Sequence, residues 1–219
     1  MPTLKIDTLG TKTMIICLHG QSLVVGSGRN YEIPYKKVPS HIDFYNTGRN
    51  HYPEGYGIEQ GLFPHLSTKY RWVVFKHAIG STRIAEWIPG TLIYADMMQN
   101  LKTIIARYEN PKVYGVYLGI GEGDSNNKSA HNYYANTLKF IEGYRAELNY
   151  CPHFILSKTA TMQGCNIDII RAAEIQLAKD VYRCKLLDLD HIEKREDGIH
   201  NTSQGTLDVG DLLGQYTLR

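Results

Sequence analysis

Apolar positions along this chain alternate between two textures. Continuous apolar runs of strand length occur at residues 13–19 (TMIICLH), 71–79 (RWVVFKHAI), 113–120 (VYGVYLGI) and 153–160 (HFILSKTA). A weaker run lies at 182–189 (YRCKLLDL), and 38–45 (VPSHIDFY) reads as a sixth strand near one edge. Strands this apolar are expected where a sheet is covered on both faces. Between them the apolar period lengthens to three and four residues. Residues 94–109 carry Met97, Leu101, Ile104, Ile105 and Tyr108 on one stripe and stop at Asn110-Pro111, as an amphipathic helix does. Residues 129–148 repeat the pattern with Tyr134, Leu138, Ile141, Tyr144 and Leu148; 167–180 and a short terminal segment, 206–218, follow. Strand and helix patterns in alternation predict an α/β fold with a mainly parallel sheet and crossover helices.

One stretch breaks the rhythm. Residues 46–69 place His51, Tyr52, Tyr56, Phe63 and His65 among four glycines and two prolines with no period. A loop of this length inside a domain is commonly a binding wall or lid. Its aromatic content argues against disorder, and the plain alternative is that the rings pack the loop onto the domain.

Composition narrows the classes. A chain of 219 residues with 42% hydrophobic and 21% charged positions reads as one soluble globular domain spanning 1–219. The formal net charge is +2, with no block of five Lys or Arg residues, so nothing marks a nucleic-acid or anionic-membrane partner. No run approaches the ~18 apolar residues of a membrane span. No basic, apolar leader opens the sequence, and a secreted or virion-associated setting is compatible with it. Cys17, Cys151, Cys165 and Cys184 form no C-x-x-C pair, so buried thiols are expected rather than a zinc or redox centre.

In parallel α/β sheets the ligand crevice lies outside the carboxyl ends of the strands. Four segments there carry chemistry: Gly20-Gln21-Ser22, Gly80-Ser81-Thr82, Gly121-Glu122-Gly123-Asp124, and Asp197-Gly198-Ile199-His200. Each has an ordinary reading. Ser22 could be a turn or cap residue, Gly80 a turn glycine, and Glu122 and Asp124 a solvated turn or helix cap. Asp-x-x-His also occurs twice, at Asp188/His191 as well as Asp197/His200, so one pair is a decoy. Taken together, however, they supply the parts of one acyl-transfer site. These are a hydroxyl (Ser22), an imidazole (His200), a carboxylate to orient it (Asp197), and N–H donors from Ser22 and Gly80 for the oxyanion. The α/β-hydrolase elbow is absent, because Leu23-Val24 follows Ser22 where that motif needs a glycine.

The segments "HGQSL", "AIGSTRIAEWIPG", "GIGEGD" and "DGIHNTSQG" resemble, in order and spacing, the blocks of the SGNH (GDSL-like) hydrolases, in the branch of sialate O-acetylesterases and carbohydrate acetylesterases. The resemblance covers residues 15–205. It implies Ser22 as nucleophile, His200 as base, Asp197 as its orienter and Gly80 as oxyanion donor, with Gln21 and Glu122 on the oxyanion and substrate side. It sets Asp188/His191 aside as the decoy. It also implies a three-layer α/β/α sandwich of flavodoxin type, no metal or organic cofactor, and an acylated carbohydrate as substrate. Tyr52 and Tyr56 are then expected to stack on a sugar face. Three positions depart from the family blocks: Leu23 replaces an Asn, Ile120 a Gln, and Gly123 a Ser. The function expected is a serine esterase that removes short acyl groups, acetyl foremost. The alternative is a carbohydrate-binding or structural module of the same fold with weak or no catalysis, as in a phage tail or adhesion assembly.

Overall fold

The computed structural model describes residues 12–48, 55–161 and 165–217. Six strands form one parallel sheet: β1 (Thr13–Gly20), β3 (Ile42–Asn46), β5 (Arg71–Ala78), β6 (Lys112–Gly119), β7 (His153–Ser157) and β8 (Cys184–Leu187), in the order β3-β5-β1-β6-β7-β8. All six strands expected from the sequence are present, the one read near 38–45 forming at the β3 edge. Side chains alternate between two cores, as the apolar runs require. Ile15, Cys17, Val73 and Phe75 face α3 (Leu92–Ile105), α5 (Tyr133–Leu148) and α6 (Ile167–Asp180). Ile16, Leu18, Trp72 and Val74 face the side of α1 (Ser22–Val25), α2 (Glu59–Leu62) and α7 (Ser203–Thr217). The result is the three-layer α/β/α sandwich.

Register places the site. Gly20 at the end of β1 pairs with Ala78 of β5 on one side and Gly119 of β6 on the other. The three central strands therefore finish in one row, and their following loops meet. The chain builds the sheet outward from β1 in both directions, leaving a crevice where its direction reverses beside β1.

The described residues between 46 and 69 contain more order than their composition suggests. Tyr56 and Gly55 form β4, which pairs antiparallel with β2 (Gly28–Arg29). Helix α2 and a 3₁₀ turn at Phe63–His65 follow, and α2 packs on α7. That packing is backbone on backbone. A Cβ on Gly61 would lie 1.9 Å from the Leu207 carbonyl oxygen, and one on Gly210 would lie 2.0 Å from that of Ile58. Such elements have no periodicity because their stabilising partners lie about 150 positions away in sequence. A four-residue helix, α4 (Asn127–Ala130), completes the inventory. The cysteines are free thiols; Cys17 and Cys184 are buried as expected, Cys151 is partly covered, and Cys165 is exposed. Among the described residues no helix is long and apolar enough to cross a membrane.

Candidate active site

The turn after β1 is forced by backbone contact. Gly20 has φ 146°, and a Cβ there would lie 2.0 Å from the Gly119 carbonyl oxygen, so only glycine fits. Gln21 N–H donates to that same oxygen at 3.0 Å, and the Gln21 carbonyl accepts from Val24 and Val25 N–H. This starts α1 at Ser22, whose N–H occupies the first helical position and has no intrahelical acceptor. Leu23, Val24 and Val25 are buried behind it, so the serine is held at the tip by an apolar anchor.

His200 Nε2 lies 3.0 Å from Ser22 Oγ, and His200 Nδ1 lies 2.7 Å from Asp197 Oδ2. The other Asp197 oxygen accepts the N–H groups of Ile199 and His200, both at 2.8 Å. Burial opposes ionisation of Asp197, but the imidazole bond and these two backbone donors outweigh it and hold the carboxyl at about 2. The loop itself is tied down. Lys194 and Asn201 bridge across it, and the His200 carbonyl accepts Arg195 N–H at 2.7 Å. The Arg195 guanidinium donates to the Ser27 carbonyl at 2.7 Å and to both oxygens of Glu32 at 3.2 Å. Arg195 thus fastens the histidine loop to the segment that follows the serine. No sequence motif signals it, because the two partners are 163 positions apart.

Behind the serine, Gln21 donates its amide N–H to Glu122, and the other Glu122 oxygen accepts Ala160 N–H at 3.0 Å. Neither Glu122 nor Asp124 is a solvated turn residue; both are buried. Asp124 accepts Ile84 N–H at 2.9 Å, tying the loop after β6 to the loop after β5, and burial raises its carboxyl to about 6. The Gln21 side-chain oxygen, Oε1, is buried without a hydrogen-bond partner among the described residues. The Glu122 carboxylate fixes the orientation of the Gln21 amide beside Ser22.

These groups open into a cavity of about 640 Å³ whose walls include Ser22, His200, Ile199, Gly26, Ser81, Arg83, Glu122 and Gly123. Gly80 is not among the residues that line it. It sits between Ile79, whose N–H donates to the Gly20 carbonyl at 2.9 Å, and Ser81, which lines the cavity in a left-handed conformation (φ 61°). At Gly123, where the resemblance leads to the expectation of a serine, a side chain does not fit: a Cβ there would lie 2.6 Å from the Thr82 carbonyl oxygen. Leu23 and Ile120, the other two departures, are buried in the core and do not line the cavity.

Of the two tyrosines expected on the sugar face, Tyr52 lies outside the described residues. Tyr56 departs from the expectation: its ring is 4% exposed and stacks close over Gly28, and it does not line the Ser22 cavity. The β2–β4 pairing turns it inward. Among the described residues no cluster of three His, Cys, Asp or Glu side chains is placed to hold a metal ion.

Residues 66–219 match the family described as carbohydrate esterase, sialic acid-specific acetylesterase. The chain belongs to this family. It is accordingly a carboxylic ester hydrolase of the carbohydrate acetylesterase type. Ser22 precedes the matched residues, but solved structures with the same fold span it. A protein from Arabidopsis thaliana is 21% identical, with a TM-score of 0.77 over 94% of this chain and 97% of that one. NanS is 11% identical, with a TM-score of 0.75 over 95% and 97%. A carbohydrate acetylesterase from Xanthomonas citri is 14% identical, with a TM-score of 0.69 over 93% of this chain and 54% of that one. No curated protein matches the chain by sequence.

Proposed function

We propose that this carbohydrate esterase is a serine enzyme that releases acetyl groups from an acylated carbohydrate through an acyl-enzyme on Ser22. The observation that carries the proposal is the unbroken line Ser22 Oγ, His200 Nε2, His200 Nδ1, Asp197 Oδ2, at 3.0 and 2.7 Å, opening into a cavity that a sugar can enter.

In the first half-reaction, His200 Nε2 takes the proton from Ser22 Oγ as the oxygen attacks the acetyl carbonyl. Asp197 holds the Nδ1–H tautomer and stabilises the imidazolium; its low-lying carboxyl stays ionised throughout the range in which imidazole titrates. The Ser22 N–H, free at the start of α1, and the Gly80 N–H are the proposed oxyanion donors. As the tetrahedral intermediate collapses and the bond from the acyl carbon to the sugar oxygen breaks, the imidazolium protonates that oxygen and the sugar leaves as an alcohol. In the second half-reaction His200 deprotonates the water that attacks the acetyl-serine, and the imidazolium returns the proton to Ser22 Oγ as the acyl–oxygen bond breaks and acetate leaves. Gln21, held by Glu122, braces the turn that carries Ser22.

The same constellation supports catalysis over the binding-module alternative, which has no need of a tied-down histidine loop. The test is hydrolysis of 4-nitrophenyl acetate and of an O-acetylated sugar by the wild type and Ser22→Ala. The proposal expects both activities to vanish together, and activity surviving in the variant would overturn it.

A further inference from the structure

A second cavity, of about 520 Å³, lies beside the first, over the ends of β3 and β5. Its volume falls within the range of about 300–1,000 Å³ usual for small-molecule sites. Where they meet, the wall between the two cavities is two residues thick. Gly26 lines the Ser22 cavity and Tyr56 lines the second, and a Cβ on Gly26 would lie 2.3 Å from the Tyr56 carbonyl oxygen.

The lining of the second cavity has a definite chemistry. Its charged floor is neutral as a unit: Lys76 and Glu59, with side chains 2% and 3% exposed, are paired. Lys76 Nζ contacts both Glu59 oxygens at 3.0 Å and the Val25 carbonyl at 3.1 Å, which uses the three donors an ammonium has. A ligand therefore meets no unpaired charge there. Two carboxamides stand on the wall with their oxygens already engaged. Asn30 Oδ1 accepts Tyr35 N–H and Gln60 Oε1 accepts Lys36 N–H, both at 2.9 Å. Each amide is thereby oriented, and its NH₂ group remains as a donor. Phe44 and the 59% exposed Tyr35 supply ring surface, and the inward-turned Tyr56 closes the wall between them and the first cavity. Fixed neutral donors beside aromatic faces suit a ligand with one apolar and one hydroxylated surface. An uncharged pyranose unit has that form.

We infer that the second cavity binds a neutral sugar unit of the same glycan whose acetylated unit occupies the Ser22 cavity. The enzyme thus acts on an oligo- or polysaccharide in preference to a free monosaccharide. This rests on the reading of Ser22 given above and deepens it to a substrate class.

The test has two arms. In the first, kcat/KM is measured on O-acetylated xylohexaose, O-acetylated cellohexaose, O-acetylated xylose and O-acetylated sialic acid, for the wild type, Tyr35→Ala and Gln60→Glu. The wild type is expected to favour at least one hexasaccharide over both monosaccharides by about tenfold or more, and each variant to lose that preference through KM. In the second arm, unacetylated xylohexaose and cellohexaose are titrated calorimetrically into the Ser22→Ala protein. Binding is expected there and is expected to weaken about tenfold when Tyr35→Ala is added. The inference is overturned by a wild type that prefers the monosaccharides or treats both sizes alike, by hexasaccharide binding that is absent, or by variants that lose equally on every substrate. Failure of the Ser22 reading appears separately, as 4-nitrophenyl acetate hydrolysis that survives Ser22→Ala.

Discussion

Asp188/His191 and Asp197/His200 have the same spacing and lie within thirteen residues of each other, yet their surroundings give them different chemistry. In the first pair, the Asp188 carboxylate is engaged by Asp190 N–H at 3.0 Å and by Lys158 Nζ at 3.1 Å. His191 is exposed, and no hydrogen bond joins it to Asp188 among the described residues. The backbone donor, with help from Lys158, lowers the Asp188 pKa, so the carboxylate is spent on its own turn. In the second pair, the Asp-Gly turn curls so that one carboxylate oxygen takes two backbone N–H groups and the other remains for the imidazole. Arg195 then docks the turn against the serine segment. Spacing alone makes either pair a candidate; a carboxylate oxygen left free and a loop fixed in place separate them.

That difference can be broken on purpose. Ser22→Ala removes the atom both halves of the mechanism need, and turnover should fall by about 10⁴–10⁶-fold while the melting temperature holds. His200→Ala should lose nearly as much. His191→Ala should change activity by less than about twofold, since exposed side chains of this kind shift energies by under ~0.5 kcal/mol. A sensitive His191 would reverse the assignment of the two pairs. Asp197→Asn keeps the shape of the turn but loses the charge and the tautomer control, and a fall in kcat of about 10³–10⁴-fold is expected.

Arg195→Gln sharpens the comparison at its structural end. With the strut to Ser27 and Glu32 gone, the His200 loop should wander, lowering kcat by roughly 10–100-fold with little change in KM. A change confined to the melting temperature would mean the loop holds its place without Arg195.

The smallest expected effect lies in the buried carboxylates behind the site. Glu174 is fully buried, and burial raises its carboxyl from 4.5 to about 8, against the bonds it accepts from Thr159. Between those values the native chain carries a proton that the unfolded chain has released. Stability is therefore greatest below the lower value and falls as pH rises through the window. The drop in melting temperature between about pH 5 and about pH 8 should be smaller in Glu174→Gln than in the wild type. Parallel curves would show that Glu174 is already ionised.

Much of this was legible in the sequence. The strands could be read because a sheet buried on both faces demands unbroken apolar runs, and Ser22, Asp197 and His200 could be picked out as candidates because they follow strands, where such folds keep their chemistry. The loop at 46–69 could not. Its β4 and α2 depend on Gly28 and on Gly61 meeting Gly210, contacts that local pattern does not encode. For the same reason Tyr56 was expected on a sugar face but turns inward, and Glu122 and Asp124 were open to a reading as solvent-facing although both are buried and bonded across loops. A polar residue's partner about 40 positions away leaves no periodic trace.

The most direct test of the account is covalent labelling with a sulfonyl fluoride or phosphonate, followed by mass spectrometry of the digested protein. A single adduct on Ser22 is expected, formed rapidly in the wild type and in His191→Ala and lost in His200→Ala. A stable adduct on any other residue, or labelling of Ser22 that is indifferent to His200, would contradict it.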